Sequence, residues 1–181
     1  GFKALVITID APISGIRNVE QRYGFSLPEN ISAVNINNPI QTINNFENIL
    51  EMAKILPTWK DIEFIKNNTK LPVILKGITN TSYAKKAIEL GIDGIIVSNH
   101  GGRTLDTLPS TIEILPKIAK AVDKKIPILF DGGIKRGTDI IKAIALGASA
   151  VLIGRPIMYG LATAGALGVA HTLKILKEEL E

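Results

Sequence analysis

Five short and almost unbroken apolar runs, each closed by turn residues, constrain this chain more than any other feature: Ala4 to Ile9, Pro72 to Leu75, Gly94 to Val97, Pro127 to Phe130 and Ala150 to Ile153. They are too short for helices and do not alternate in polarity, the pattern of parallel strands covered on both faces. Helical patterns lie between them. Thr58 ahead of Trp59-Lys60-Asp61 reads as a capping box opening a helix to about Asn68, and a helix from Thr81 to Leu90 stops at Gly91. Further helices are expected over Pro109 to Val122, Thr138 to Leu146 with Gly147 behind it, and Met158 to Leu180. The last four runs begin roughly 22, 33 and 23 residues apart, the rhythm of βα units with right-handed crossovers. The expected class is therefore α/β with a parallel sheet.

At 181 residues and 46% hydrophobic, the chain buries a sizeable core, and disorder is excluded. A single (β/α)8 domain commonly needs about 250 residues, so the chain is one domain or part of a larger one. The 21 basic and 17 acidic side chains are spread along it, and no basic tract implies nucleic acid. With no cysteine there is no disulfide, thiolate metal site or cysteine nucleophile. The start, Gly1-Phe2-Lys3-Ala4, has no signal-peptide pattern, and a cytoplasmic location is the expectation. The most apolar window, Ala150 to Ala170, is interrupted by Arg155 and Pro156 and reads as a buried strand followed by a buried helix.

From Pro12 to Leu56 the rhythm lapses. Asn is dense there and no strand is evident, apart from a possible short helix over Phe46 to Ile55. Loops of this length are usually lids or disordered, and residues 12–56 are expected to form a mobile lid within the domain spanning 1–181.

In a parallel α/β arrangement the C-terminal strand ends share one rim, where sites are built. Strand alternation puts Thr8 with Asp10, Ile74 with Lys76, and Ser98 with His100 on common faces. A neutral imidazole at His100 accepts a proton near physiological pH, and a carboxylate such as Asp10 favours the resulting imidazolium. A strand-end histidine on its own is better explained by packing. Here it is followed by Gly101, Gly102 and Arg103, which allow close approach of a ligand and a two-pronged grip on a carboxylate. His171 falls within the last helix and reads as packing or surface. Asp131-Gly132-Gly133 and Gly154-Arg155 end the last two strands. Glycine turns in consecutive βα units, with Arg155 adding charge, favour phosphate binding over plain tight turns. Lys76, closing an apolar strand, needs an anion or a polarised ligand, unless it snorkels to the rim. Arg17 and Asp106, taken singly, read as loop residues.

Taken together, Thr8-Ile9-Asp10-Ala11-Pro12, Leu71-Pro72-Val73-Ile74-Leu75-Lys76-Gly77, Ser98-Asn99-His100-Gly101-Gly102-Arg103, Asp131-Gly132-Gly133 and Gly154-Arg155-Pro156 resemble the FMN-dependent α-hydroxy acid oxidases and dehydrogenases. That family includes glycolate oxidase, lactate oxidase, mandelate dehydrogenase and flavocytochrome b2. The resemblance spans nearly the whole chain and thins in the Asn-rich segment. It implies the C-terminal part of a (β/α)8 TIM barrel, about strands 4 to 8, with the long loop after the first strand.

The same resemblance implies FMN as cofactor and a small L-2-hydroxy acid, lactate-like or glycolate-like, as substrate. Oxygen, a cytochrome or a quinone would accept the electrons, and a homo-oligomer is implied. By resemblance His100 is the base and Asp10 its partner, while Arg103, Arg17 and His100 bind the substrate. Lys76 would sit beside the flavin N1/O2 edge, and Thr8 and Ser98 would bond the flavin. Asp131, Gly132, Gly133, Gly154 and Arg155 would hold the ribityl phosphate, with Lys135 standing where the family usually has Arg. The front strands of such a barrel have no counterpart in the sequence. A non-catalytic half-barrel or assembly module is therefore the alternative, beside other phosphate-binding barrels such as a type 2 isopentenyl diphosphate isomerase. An inosine monophosphate dehydrogenase relative would need a cysteine.

Overall fold

The computed structural model describes residues 1–12, 17–32, 34 and 56–181. Five strands form one parallel sheet in the order β1-β2-β3-β4-β5, each beside its neighbour in sequence. They are β1 (Leu5–Thr8), β2 (Val73–Ile78), β3 (Gly94–Val97), β4 (Ile128–Asp131) and β5 (Ala150–Leu152). The helices are α1 (Asn18–Arg22), α2 (Trp59–Asn67), α3 (Thr81–Glu89), α4 (Thr111–Val122), α5 (Gly137–Ala145) and α6 (Arg155–Glu178).

The capping box at α2 forms as expected: the Thr58 N–H and hydroxyl both donate to Asp61 Oδ2, each at 2.7 Å. These bonds, the hydroxyl's first, hold the Asp61 carboxyl below its ordinary pKa. Behind α3, Gly91 takes the left-handed conformation that lets a helix stop there.

Alternation sends Val73 and Leu75, Ile95 and Val97, and Ile128 and Phe130 to one face of the sheet. There they pack with Ile62, Ala84, Leu115, Ile118 and Ala143 from four helices into one core. The opposite face is only partly covered by the described residues, and Val6 on it stays 47% exposed. A barrel strand shows one face to helices and the other to the packed barrel interior, so continuous apolar runs suit this geometry.

Four local expectations change. β2 extends through Lys76 to Ile78, with a register irregularity between Lys76 and Ile78, so Lys76 lies within the strand rather than at its close. α6 opens at Arg155, three residues ahead of the expected start, because Pro156 suits the first helical turn. Ala164 and Gly165 then interrupt it with non-helical backbone. A short helix, α1, also stands inside the segment expected to be a lid. Residues 13–16, 33 and 35–55 of that segment, including the helix expected over Phe46 to Ile55, lie outside the described residues. No helix among the described residues is long and apolar enough to cross a membrane.

Candidate active site at the C-terminal rim

Backbone pairing sets the site. Thr8 on β1 lies beside Lys76 on β2, and Lys76 beside Ile96 on β3, so the residues just past these positions emerge together on one rim. Asp10, two residues beyond Thr8, meets His100 beyond β3: Nδ1 and Oδ1 are 3.1 Å apart. A carboxylate at that distance accepts a hydrogen bond, so Nδ1 carries the proton and donates it, leaving the Nε2 lone pair to accept another. The Asp10 side chain is nearly buried and the His100 ring is 39% exposed, which leaves the ring reachable from the mouth.

Next to this pair, the Lys76 ammonium donates to Ser98 Oγ at 2.8 Å and lies 3.0 Å from Asp131 Oδ2. Ser98 is fully buried. Its Oγ also accepts the His100 backbone N–H at 3.1 Å, so one hydroxyl ties the cation to the histidine turn. Residues from four strands thereby share one network. Lys76 meets an anion, the alternative to snorkelling set out above.

His100 itself has φ of 56°, a left-handed conformation that costs a non-glycine residue about 1 kcal/mol or more. Gly101 and Gly102 continue it, and the tight turn brings Arg103 round to the same rim. Gly101 packs closely as well, since a Cβ there would lie 2.9 Å from Arg155 Nη2. Arg155 donates from that nitrogen to the Gly101 carbonyl at 3.0 Å, tying the β5 turn to the histidine turn.

The structure brings together Asp10, His100, Lys76, Ser98 and Asp131, and separately Gly101 and Arg155. Arg103 and Arg17 both reach Glu20, as described below. Thr8 is exposed beside Lys76. The Lys135 backbone N–H donates to Asp139 Oδ2 at 3.1 Å while its side chain is exposed. That bond is the largest influence on the Asp139 carboxyl; it outweighs the opposing effect of burial and, with a lesser contribution from the Arg136 N–H, holds the pKa below its ordinary value.

Two supporting residues were not singled out by the motif reading. Gly77, at φ of +105°, lies so close to Asp10 that a Cβ would fall 2.6 Å from the Asp10 Cβ. Thr111, buried at the start of α4, donates its hydroxyl to the Asp131 carbonyl at 2.7 Å. The only sequence signal for the first was a glycine directly after a strand lysine. For the second there was none.

The residues present suit a flavin nucleotide. Asp131 Oδ1 and Asp10 Oδ2 are buried acceptors without hydrogen-bond partners among the described residues, fit for ligand hydroxyl or amide donors. Gly133 and Gly154 have nothing within 4 Å of where a Cβ would stand, so their backbone is open to a phosphate. The second of these precedes the N-terminal turn of α6, where helix dipole and Arg155 both favour an anion.

A parallel sheet with helices packed on one face and a polar, glycine-rich rim at the strand ends is the architecture of a (β/α) barrel. The chain belongs to the FMN-dependent dehydrogenase family, which it matches over residues 1–181. It is 46% identical over its full length to a 2-hydroxyacid oxidase from Dictyostelium discoideum, of which it covers 47%. It is 44% identical over 99% of its length to an L-lactate oxidase from Nostoc, covering 52% of that protein. A mandelate oxidase variant solved with the C4a-OH-FMN adduct superimposes with a TM-score of 0.86 at 43% identity, over 99% of this chain and 50% of the other. The chain thus spans about half the length of the relatives it matches, and the expected partial TIM barrel is borne out.

Proposed function

We propose that this chain, within a protein of its relatives' length, takes part in oxidising a small L-2-hydroxy acid to the 2-oxo acid with FMN as cofactor. The 3.1 Å contact between His100 Nδ1 and Asp10 Oδ1 carries the reading, because it leaves Nε2 free to act as a base. FMN, when bound, supplies the two-electron acceptor, and oxygen, a cytochrome or a quinone regenerates it.

In this scheme His100 Nε2 receives a substrate proton, from the hydroxyl or from C2 according to route. Asp10 holds the ring in the required tautomer and stabilises the imidazolium. Arg103, helped by Arg17, grips the substrate carboxylate. Lys76 provides a fixed positive charge where the flavin ring becomes negative, kept in place by Ser98 and Asp131. The Asp131 Oδ1 acceptor suits a ribityl hydroxyl, and Thr8 and Ser98 contribute polar groups to the ring. Gly132, Gly133, Gly154, Arg155 and Lys135 cradle the phosphate. Arg155 can serve there while bonding Gly101, because a guanidinium has five donors. Lys135 keeps the charge of the family's usual Arg but not its planar fork.

Self-association and a cytoplasmic location extend the same reading. Sedimentation of the full-length protein tests the first and fractionation of its source cells the second.

The deciding experiment is rapid mixing of the full-length flavoprotein with L-lactate, glycolate and L-mandelate. Bleaching of the flavin by at least one is expected. His100→Gln slows it by at least about 10²-fold, the loss of a general base. No bleaching by any hydroxy acid refutes the activity, and an unaltered rate in the variant refutes the role of His100.

A further inference from the structure

Glu20, on α1, holds both arginines assigned to the substrate carboxylate. Its Oε1 and Oε2 accept from Arg17 Nη1 at 3.3 and 3.2 Å. The same Oε1 lies 3.6 Å from Arg103 Nη2. Arg17 and Glu20 sit one helical turn apart, whereas Arg103 arrives from the far side of the rim through the left-handed turn after His100. A carboxylate therefore already stands between two guanidiniums, with the chemical character the substrate must present to them. We propose that Glu20 is an internal carboxylate that competes with the substrate for Arg103 and Arg17, and thereby sets the enzyme's affinity for hydroxy acids.

The inference rests on the reading of Arg103 and Arg17 as carboxylate anchors. All three side chains are about half exposed, at 51%, 56% and 41% for Arg103, Arg17 and Glu20, so their pairing exchanges with a ligand from solution. Exposed pairs of this kind are weak. They tax binding without blocking it: the apparent dissociation constant is the intrinsic one divided by the fraction of arginine not held by Glu20. The pairing also lies outside the chemical step. It acts on the carboxylate end of the substrate, so it moves KM and leaves kcat in place.

The test compares full-length wild-type enzyme with Glu20→Gln, which keeps the shape of the side chain and removes its charge. L-lactate serves as substrate, pyruvate as a ligand titrated by the flavin absorbance, and methyl L-lactate as a probe with no carboxylate. The KM for L-lactate and the Kd for pyruvate are expected to fall about two- to fivefold, the range for releasing an exposed pair. The Michaelis constant for methyl L-lactate and the kcat for L-lactate stay unchanged.

Arg103→Met, run in parallel, separates the two layers. A sharply raised KM for L-lactate upholds the anchor. With the anchor upheld, an unchanged KM in Glu20→Gln overturns the competition, and so does a raised one, which would mean that Glu20 holds Arg103 ready for substrate. A fall shared equally by the methyl ester overturns it too. An unchanged KM in Arg103→Met sinks the anchor reading, and the competition with it.

Discussion

Replacing Gly77 by alanine tests how closely the fold holds the acid-base pair. An added Cβ would stand 2.6 Å from the Asp10 Cβ, 2.7 Å from its Cγ and 2.9 Å from its backbone nitrogen. Carbon atoms pack at roughly 3.5 to 4.0 Å, so one side must give by about 1 Å. A shift of Asp10 by that amount would stretch its contact with His100 from 3.1 Å beyond hydrogen-bond range. Two costs to stability add. A side chain forced to φ of +105° costs about 1 to 3 kcal/mol, and overpacking a closed site about 1 to 3 kcal/mol more.

Gly91→Ala is the control, since Gly91 also has positive φ but its Cβ would meet nothing within 4 Å. It should lose only the backbone part, about 1 to 2 kcal/mol. Guanidinium unfolding of the full-length protein gives both losses. Flavin reduction by L-lactate should slow by about 10²-fold in Gly77→Ala, as for a group misplaced by an ångström. If Gly77→Ala fails to fold, pairing it with Asp10→Gly removes the side-chain part of the clash and should restore part of the stability. Equal losses in Gly77→Ala and Gly91→Ala, with flavin reduction unaltered, would refute the steric argument.

Ser98→Ala should destabilise by about 1 to 3 kcal/mol in the same unfolding assay, because the Lys76 ammonium and the His100 N–H lose a buried acceptor together. Ser110→Ala, whose residue is exposed and makes no capping bond, should stay within about 0.5 kcal/mol of wild type. Asp139→Ala should cost about 1 kcal/mol at neutral pH, as for loss of a helix-start acceptor. The Asp139 carboxyl has its pKa lowered on folding, so its contribution is complete well above the unfolded value near 3.8 and fades as pH falls through the lower folded value. The difference between wild type and variant, followed by unfolding at pH 7 and at stepwise lower pH, should narrow only below about pH 4; a constant gap would refute the linkage.

The strands were legible because their signal is local. Gly94 to Val97 stands where the apolar run put it, since β3 is covered by neighbours of the same composition. Ser98 and His100 could be placed on a common face by alternation alone. That a carboxylate such as Asp10 could reach His100, 90 residues away in sequence, follows from the shared rim, whereas the pairing itself is specified only by the family resemblance, because strand register is set by packing between units. Lys76 was misplaced at a strand end because its run of apolar residues stops there, while the backbone continues through an irregularity at Gly77. Arg155, read as part of the turn that ends the last strand, instead opens α6, and the Pro after it is the helix-start signal. Glu20 gave no signal: its meeting with Arg103 depends on a turn and a helix that periodicity does not locate.

The neighbour-by-neighbour order of the sheet also implies an order of assembly. Three of its four strand pairings join segments roughly 20 to 33 residues apart, whereas β1 must reach β2 across roughly 70, an added closure cost of about 1 kcal/mol. Within this chain, β2 to β5 are therefore able to zip up before β1 docks. Asp10 travels with β1, so the tautomer of His100 is fixed only in the closing event. A refolding experiment should recover tryptophan fluorescence from Trp59, which packs against the core, before it recovers a correctly polarised base.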